Sequence, residues 1–153
     1  MVSSSIKAIT NLFLYDTGAE IHVTNNLNWL YNYTEAEPTS ISTGDSTSTI
    51  FGHGEIIFLS EQSPSKPILI LKKVAYCPGF HTNIICGDTL YEAGIKLDQE
   101  QSQLVYRRTG KTFIDLVKHG KLHFLKAQPQ EALNLYPSSI RSKLPKTPQT
   151  PGN

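Results

Sequence analysis

The triplet Asp16-Thr17-Gly18 combines residue types and a position that could do chemistry. It directly follows the apolar run Leu12–Tyr15, so the carboxylate should emerge at the end of a buried strand. Such a carboxylate can bind and deprotonate a water molecule if a second carboxyl group lies close enough to share one proton with it. Gly18 allows a tight turn, and the Thr17 hydroxyl can fix the carboxylate. The triplet predicts hydrolysis by paired carboxylates, although an ordinary exposed turn has the same residue types.

The second carboxyl group has to come from outside this triplet, which occurs once in the sequence. The other aspartates lack the same context: Asp45, Asp88, Asp98 and Asp115. A twofold symmetric dimer would place two Asp16 side chains face to face on its axis. The chemistry therefore predicts a homodimer with one shared site.

Four segments in order resemble a known family. Phe13–Val23, which reads FLYDTGAEIHV, resembles the active-site segment of retropepsin-type aspartic proteases. The later segments resemble more narrowly the copia-type LTR retrotransposon proteases, and the resemblance runs from about Ile9 to about Leu125. These later segments are Gly44-Asp45-Ser46 with Gly52-His53-Gly54, then Leu71–Gly79, then Asn83–Cys86 followed by a short helix and Gly94.

The resemblance implies an aspartic endopeptidase that processes a retrotransposon Gag-Pol polyprotein. Its catalytic residues would be Asp16, Thr17 and Gly18 from each of two chains, with no metal or organic cofactor. Its partners would be a second copy of the chain and the Gag-Pol polyprotein as an extended peptide, without direct contact to nucleic acid or membrane. The expected location is the cytoplasm, inside virus-like particles.

The substrate-binding residues expected from the resemblance lie in three places. They are Ala19 and Glu20 after the triplet, Gly44, Asp45 and Ser46 at the tip of a flap hairpin, and Ile84 and Ile85 in a later strand. Each group also has a simpler explanation. Glu20 can be a solvated carboxylate, the tip can belong to a plain surface hairpin, and the two isoleucines can fill the core.

The sequence departs from the broader retropepsin pattern after Ile85. Cys86 follows where a glycine is usual, Gly87 comes one place later, and the arginine that often follows the glycine is absent. These departures leave open how the helix is tethered to the Asp16 loop. They also keep two alternatives open: a domesticated or inactive domain that acts as a dimerisation or peptide-binding module, and a monomeric β-domain with an accidental triplet. His22 and His53 are expected to be hydrogen-bonding surface histidines.

Short apolar runs between turn signals, with little helix, predict an all-β barrel or sandwich. The resemblance implies more narrowly a retropepsin-like acid protease barrel with one short helix and extra C-terminal hairpins. The helix is expected at Asp88–Ala93, with Asp88 as N-cap and Gly94 just past its end. Hairpins are expected around residues 44–46, around 60–66, and twice between 104 and 125. Trp29 is expected in the core.

Composition sets the remaining limits. The formal net charge of +1 gives no strong field that would indicate nucleic acid or a membrane surface. Cys77 and Cys86 have no metal-ligand spacing and are expected to be reduced thiols. No apolar run reaches the length of a membrane span. We expect residues 1–126 to form the protease domain with its hairpin extension, and residues 127–153, which are rich in proline, to form a disordered linker.

Overall fold

The computed structural model describes residues 12–43, 46–59, 67–125 and 128–132 of the chain. Within these residues the chain forms β-strands, one short α-helix, α1 (Gly87–Glu92), and a 3-10 helix at Leu27–Trp29. The strands in chain order are β1 (Phe13–Asp16), β2 (Val23–Thr24), β3 (Tyr31–Thr43), β4 (Ser46–Leu59), β5 (Pro67–Tyr76), β6 (Asn83–Cys86), β7 (Ile95–Asp98), β8 (Gln103–Tyr106), β9 (Thr112–His119), β10 (Leu122–Leu125) and β11 (Gln128–Pro129).

The described chain divides into two compact units. The first contains residues 12–22 and 82–125, and the second contains the other described residues. The sequence predicted one protease domain over residues 1–126 and did not indicate this division.

Strand β1 lies inside the sheet of the first unit and is paired on both sides. It runs parallel to β6, with Asp16 opposite Cys86. It runs antiparallel to β10, with Phe13 opposite Leu125. The sheet then continues through the antiparallel pairs β10–β9, β9–β8 and β8–β7. Two neighbours satisfy the backbone groups of β1, so β1 carries Asp16 to the end of a largely buried ladder.

Helix α1 begins where β6 ends. The predicted helix is confirmed, but its predicted N-cap is wrong, because Cys86 and not Asp88 occupies that position. Cys86 has extended backbone angles and is still paired with Asp16, so the chain turns helical immediately after this pair. Asp88 lies in the first turn instead. Gly94 has a φ of 96°, a conformation that glycine adopts without strain, and it leads the chain into β7.

The second unit is built around the long strand β4. It pairs with β3, β5 and β11, and β5 in turn runs parallel to β2. The predicted hairpin β3–β4 is confirmed, with Thr43 opposite Ser46. The prediction that Trp29 belongs to the core is confirmed as well, since it is buried.

A β-bulge in β5 changes which residues face the core. Gly54 pairs with Val74 and Ile56 pairs with Leu71, so Lys72 and Lys73 together lie opposite a single β4 residue. Lys73 takes a φ of 57° at this point. An extra residue in one strand reverses the alternation of its side chains. Leu71 before the bulge and Val74 after it are therefore both buried.

The folded chain extends past residue 126. The backbone N–H groups of Gln130 and Ala132 donate to the carbonyl groups of Ile57 and Asn28 at 2.7 and 2.6 Å. Ala132 is fully buried. Residues 128–132, which the sequence assigned to the linker, thus have partners in the second unit that the local composition does not reveal. The rest of the predicted linker, from residue 133 onward, lies outside the described residues.

The all-β prediction with one short helix is confirmed, and the hairpins expected between residues 104 and 125 are present as β8–β9 and β9–β10. In neither unit do the described strands close into a barrel. The retropepsin-like barrel and the symmetric homodimer therefore stay predictions. No helix in the described ranges has the length and apolar composition needed to cross a membrane.

Candidate active site

Asp16 is the last residue of β1, and its carboxylate is partly buried. The backbone N–H of Gly18 donates a hydrogen bond to Asp16 Oδ1 at 2.8 Å. A Cβ at position 18 would lie 3.3 Å from the same oxygen, so glycine allows the backbone to approach the carboxylate closely. A backbone N–H bond to an ionised carboxylate is a charge-assisted bond that fixes the orientation of the group. The predicted position at the end of a strand is confirmed, although only Phe13 of this strand is buried and the other three residues are half-buried.

Thr17, Ala19 and Glu20 follow Asp16 in a loop that ends at His22. Thr17 and Glu20 are exposed, and Ala19 is partly buried. The Thr17 hydroxyl was expected to fix the carboxylate, but in the part of the chain that the structure describes it has no hydrogen bond, and the Gly18 N–H bonds to the carboxylate instead. Both exposed side chains are accessible to a partner or a peptide.

Ile84 and Ile85 lie in β6 beside the strand that carries Asp16. Ile84 pairs with Leu14 and Ile85 pairs with Tyr15 in this parallel ladder. Both isoleucines are buried, with Ile85 fully so. Their burial agrees with the core role that the sequence allowed, and their contribution to substrate binding stays a prediction.

The predicted flap tip lies at the end of the β3–β4 hairpin of the second unit. Gly44 and Asp45 lie outside the described residues, and Ser46 is described only as the first residue of β4. Pairing of β4 with β5 ends at Gly52, so residues 46–51 pair only with β3 in the described chain. The outer part of this hairpin thus has two edges that no described strand covers.

His22 and Cys86 form the contact that joins the Asp16 loop to the start of α1. The backbone N–H of Cys86 donates to His22 Nδ1 at 2.9 Å. The Cys86 thiol donates to the carbonyl of Ala19 at 3.1 Å, and the Thr89 hydroxyl donates to the Cys86 sulfur at 3.2 Å. Cys86 therefore links the Asp16 loop to the start of α1, a connection that the sequence alone did not reveal.

The surface position expected for His22 is wrong, because its side chain is only 3% exposed. Burial lowers the pKa of His22 from its ordinary 6.5 to about 4. An imidazole that accepts a hydrogen bond at Nδ1 must carry its proton on Nε2 and be neutral. Burial and the bond from Cys86 thus favour the same neutral form.

Gly87 lies against the ring of Tyr15. A Cβ at position 87 would be 2.9 Å from Tyr15 Cζ and 3.2 Å from Thr17 Cγ2. Burial raises the pKa of the Tyr15 hydroxyl, and the nearby Asp88 and Cys86 raise it further. The neutral tyrosine therefore packs over the first residue of α1, in the place where a larger residue would push the helix away from the loop.

The arrangement offers one oriented carboxylate at the end of two parallel strands. Two other described aspartates accept local hydrogen bonds: the Asp98 carboxylate accepts the Gln101 N–H, and the Asp115 carboxylate accepts a bond from the Gln103 side-chain amide. Among the described residues no group of three or more His, Cys, Asp and Glu side chains is placed to bind a metal ion. Hydrolysis by paired carboxylates would require a second carboxyl group beside Asp16.

Sequence reasoning missed the roles of His22, Cys86 and Tyr15. The available signals were the position of His22 between the apolar Ile21 and Val23, and the cysteine at position 86 directly after the apolar Ile84 and Ile85. Neither signal gives the contact, since the two residues are 64 positions apart.

The family model described as "Pol polyprotein, beta-barrel domain" matches residues 13–95, which include Asp16, the β3–β4 hairpin, Cys86 and α1. Comparisons with curated proteins and with solved structures returned no match. The match covers more than half of the chain and ends before the hairpins β7–β8, β8–β9 and β9–β10 are complete.

Proposed function

Because the chain belongs to the Pol polyprotein β-barrel domain family and is a segment of a retroelement polyprotein, we propose that it is the aspartic endopeptidase of that polyprotein. The observation that carries the proposal is the placement of Asp16. Its carboxylate ends a strand that is paired on both sides and accepts the Gly18 N–H. A surface turn with an accidental triplet does not require a strand that is paired on both sides.

The proposed enzyme is a homodimer in which two Asp16 side chains meet. One carboxylate takes a proton from a water molecule and the oxygen of that water attacks the scissile carbonyl carbon, while the other carboxyl group donates its proton to the carbonyl oxygen. The proton taken from the water then passes to the leaving amide nitrogen as the C–N bond breaks, and a hydroxyl of the intermediate returns a proton to the second carboxylate. Two carboxyl groups at short distance share one proton because they cannot both ionise, as aspartic proteases are known to do. The proposed reaction uses no metal or organic cofactor.

The proposed substrate is an extended segment of the Gag-Pol polyprotein. An extended peptide can add a strand to a sheet edge through main-chain hydrogen bonds. The outer β3–β4 hairpin offers such edges along residues 39–43 and 46–50. In the proposal its tip, Gly44, Asp45 and Ser46, closes over the peptide as a flap, and Ala19 and Glu20 contact the peptide backbone. The proposed location is the cytoplasm, inside virus-like particles.

A second function is a dimerisation or peptide-binding module without catalysis. The uncovered hairpin edges favour it, because they can bind an extended peptide whether or not Asp16 reacts. The two functions differ in their dependence on Asp16, so one pair of variants separates them.

The test is cleavage of a mixed peptide library from about pH 3.5 to 7 by the wild type, Asp16→Asn and Asp115→Asn. Asp115→Asn is the matched control, since it removes an exposed carboxylate of the same unit. We expect cleavage by the wild type and the control and none by Asp16→Asn. A dimer that binds peptides equally well in all three forms and cleaves none would favour the binding module. A monomer that cleaves no peptide would support the alternative that the triplet Asp16-Thr17-Gly18 is accidental.

A further inference from the structure

A single residue, Cys86, contacts the Asp16 loop at its start, middle and end. In the β1–β6 ladder it lies opposite Asp16. Its thiol donates to the carbonyl of Ala19 at 3.1 Å, and its backbone N–H donates to the imidazole of His22 at 2.9 Å. The first and last residues of the loop therefore lie beside the same residue.

We propose that His22 and Cys86, together called the loop clamp, are positioning residues that fix the Asp16 carboxylate for the reaction. The inference rests on the proposed peptidase function, and it adds residues that act through Asp16 without touching the substrate. The clamp works because a loop tied at both ends and at its middle has few conformations left. A catalytic group that is displaced by even about 1 Å loses much of its rate advantage.

Burial strengthens both bonds of the clamp. His22 is 3% exposed and Cys86 is 2% exposed. Water cannot readily replace either partner at such depth, so the loss of one bond leaves an unsatisfied buried group, which is costly. The bond from the Cys86 N–H requires an acceptor at the position of His22 Nδ1. The bond to the Ala19 carbonyl requires a donor on the Cys86 side chain.

The clamp also extends into α1. The Thr89 hydroxyl donates to the same sulfur atom that donates to Ala19. Sulfur is a weak acceptor as well as a weak donor, so the Cys86 side chain links the first turn of the helix to the loop. A serine at position 86 would keep both capacities, whereas an alanine would keep neither.

Two pairs of variants test the clamp, each with a conservative member. His22→Asn places Oδ1 near the position of Nδ1 and keeps the acceptor, while His22→Leu removes it at similar volume. Cys86→Ser keeps the donor, while Cys86→Ala removes it. We expect kcat to fall about tenfold or more in His22→Leu and Cys86→Ala with KM changed by less than about threefold. His22→Asn and Cys86→Ser should retain kcat within about threefold of the wild type.

Amide hydrogen exchange gives a readout that does not depend on activity. In His22→Leu the amides of Gly18 and Cys86 should exchange about tenfold faster, while that of Val105 in β8 stays protected. The proposal is overturned if kcat and these amides are unchanged in His22→Leu, or if His22→Asn and Cys86→Ser lose as much as their partners. An inert wild type would overturn the peptidase function, and the exchange of Gly18 and Cys86 would still decide whether the clamp holds the loop.

Discussion

Gly87 lies so close to Tyr15 that a Cβ at position 87 would be 2.9 Å from Cζ and 3.0 Å from the hydroxyl oxygen of that tyrosine. Real Cβ atoms essentially never approach so closely, so any side chain here must displace the ring or the helix. The glycine that follows Cys86 thus has a packing role at the start of α1.

Gly87→Ala should destabilise the protein by about 1–3 kcal/mol, the usual cost of overpacking a well-packed site. The better helix propensity of alanine, about 1 kcal/mol, offsets part of this cost. Urea denaturation measures the difference. In a Tyr15→Leu background the smaller, more flexible leucine can move away from the new methyl group. The loss of stability caused by Gly87→Ala should then be smaller. An equal cost in both backgrounds would contradict the proposed contact.

Stability should fall as the pH drops from about 6.5 to 4 because of His22. Its pKa is about 4 in the folded protein and ordinarily 6.5, so the unfolded chain takes up the proton first as the pH falls. The contribution of His22 is fully present above pH 6.5, decreases through this window and is constant below it. Each pKa unit corresponds to about 1.4 kcal/mol, so the total is on the order of 3 kcal/mol.

Urea denaturation of the wild type and His22→Asn across this window measures the effect. The asparagine does not titrate, so the difference in stability between the two proteins should change with pH. His53→Asn is the control, because it makes the same substitution at an exposed histidine. Parallel pH profiles for the wild type and His22→Asn would rule out a buried neutral His22.

Mixing wild type with Asp16→Asn should lower activity if each active site needs two Asp16 residues. Equal amounts of both chains with free exchange leave about a quarter of the dimers with two intact carboxylates. The activity per wild-type chain should therefore fall to about half. Peptide cleavage before and after mixing measures this, with Asp115→Asn as the added chain in the control. An unchanged activity would show that one chain suffices.

Chains that end at residue 126 should be less stable than chains that end at residue 132. The longer chain keeps the bonds from Gln130 to Ile57 and from Ala132 to Asn28, and the Tyr31 hydroxyl donates to the Glu131 carbonyl at 2.8 Å. At about 1 kcal/mol for each bond, less the cost of ordering the segment, we expect a loss of about 1–3 kcal/mol. Thermal unfolding of both chains and of the full chain checks this. Equal midpoints for all three would show that β11 contributes nothing.

Much of the fold was predictable because strands and turns are local features. Alternating and apolar runs bounded by glycine, proline and polar residues indicated β4, β5 and the hairpins after Leu104. The bulge at Lys72 and Lys73 was not predictable, because it depends on which β4 residues lie opposite. The N-cap of α1 was missed for a similar reason, since Cys86 is held in the ladder by Asp16.

By itself, the sequence determined the chemistry that Asp16 could do and where it could lie. An aspartate with threonine and glycine after an apolar run belongs at the end of a buried strand, and the order of the motifs indicated a retroelement polyprotein. Only the tertiary structure decided that His22 is buried and bonded to Cys86. The two residues lie 64 positions apart, and no local pattern specifies such a contact. It arises because the parallel pairing of β1 with β6 brings both segments to the same end of the sheet.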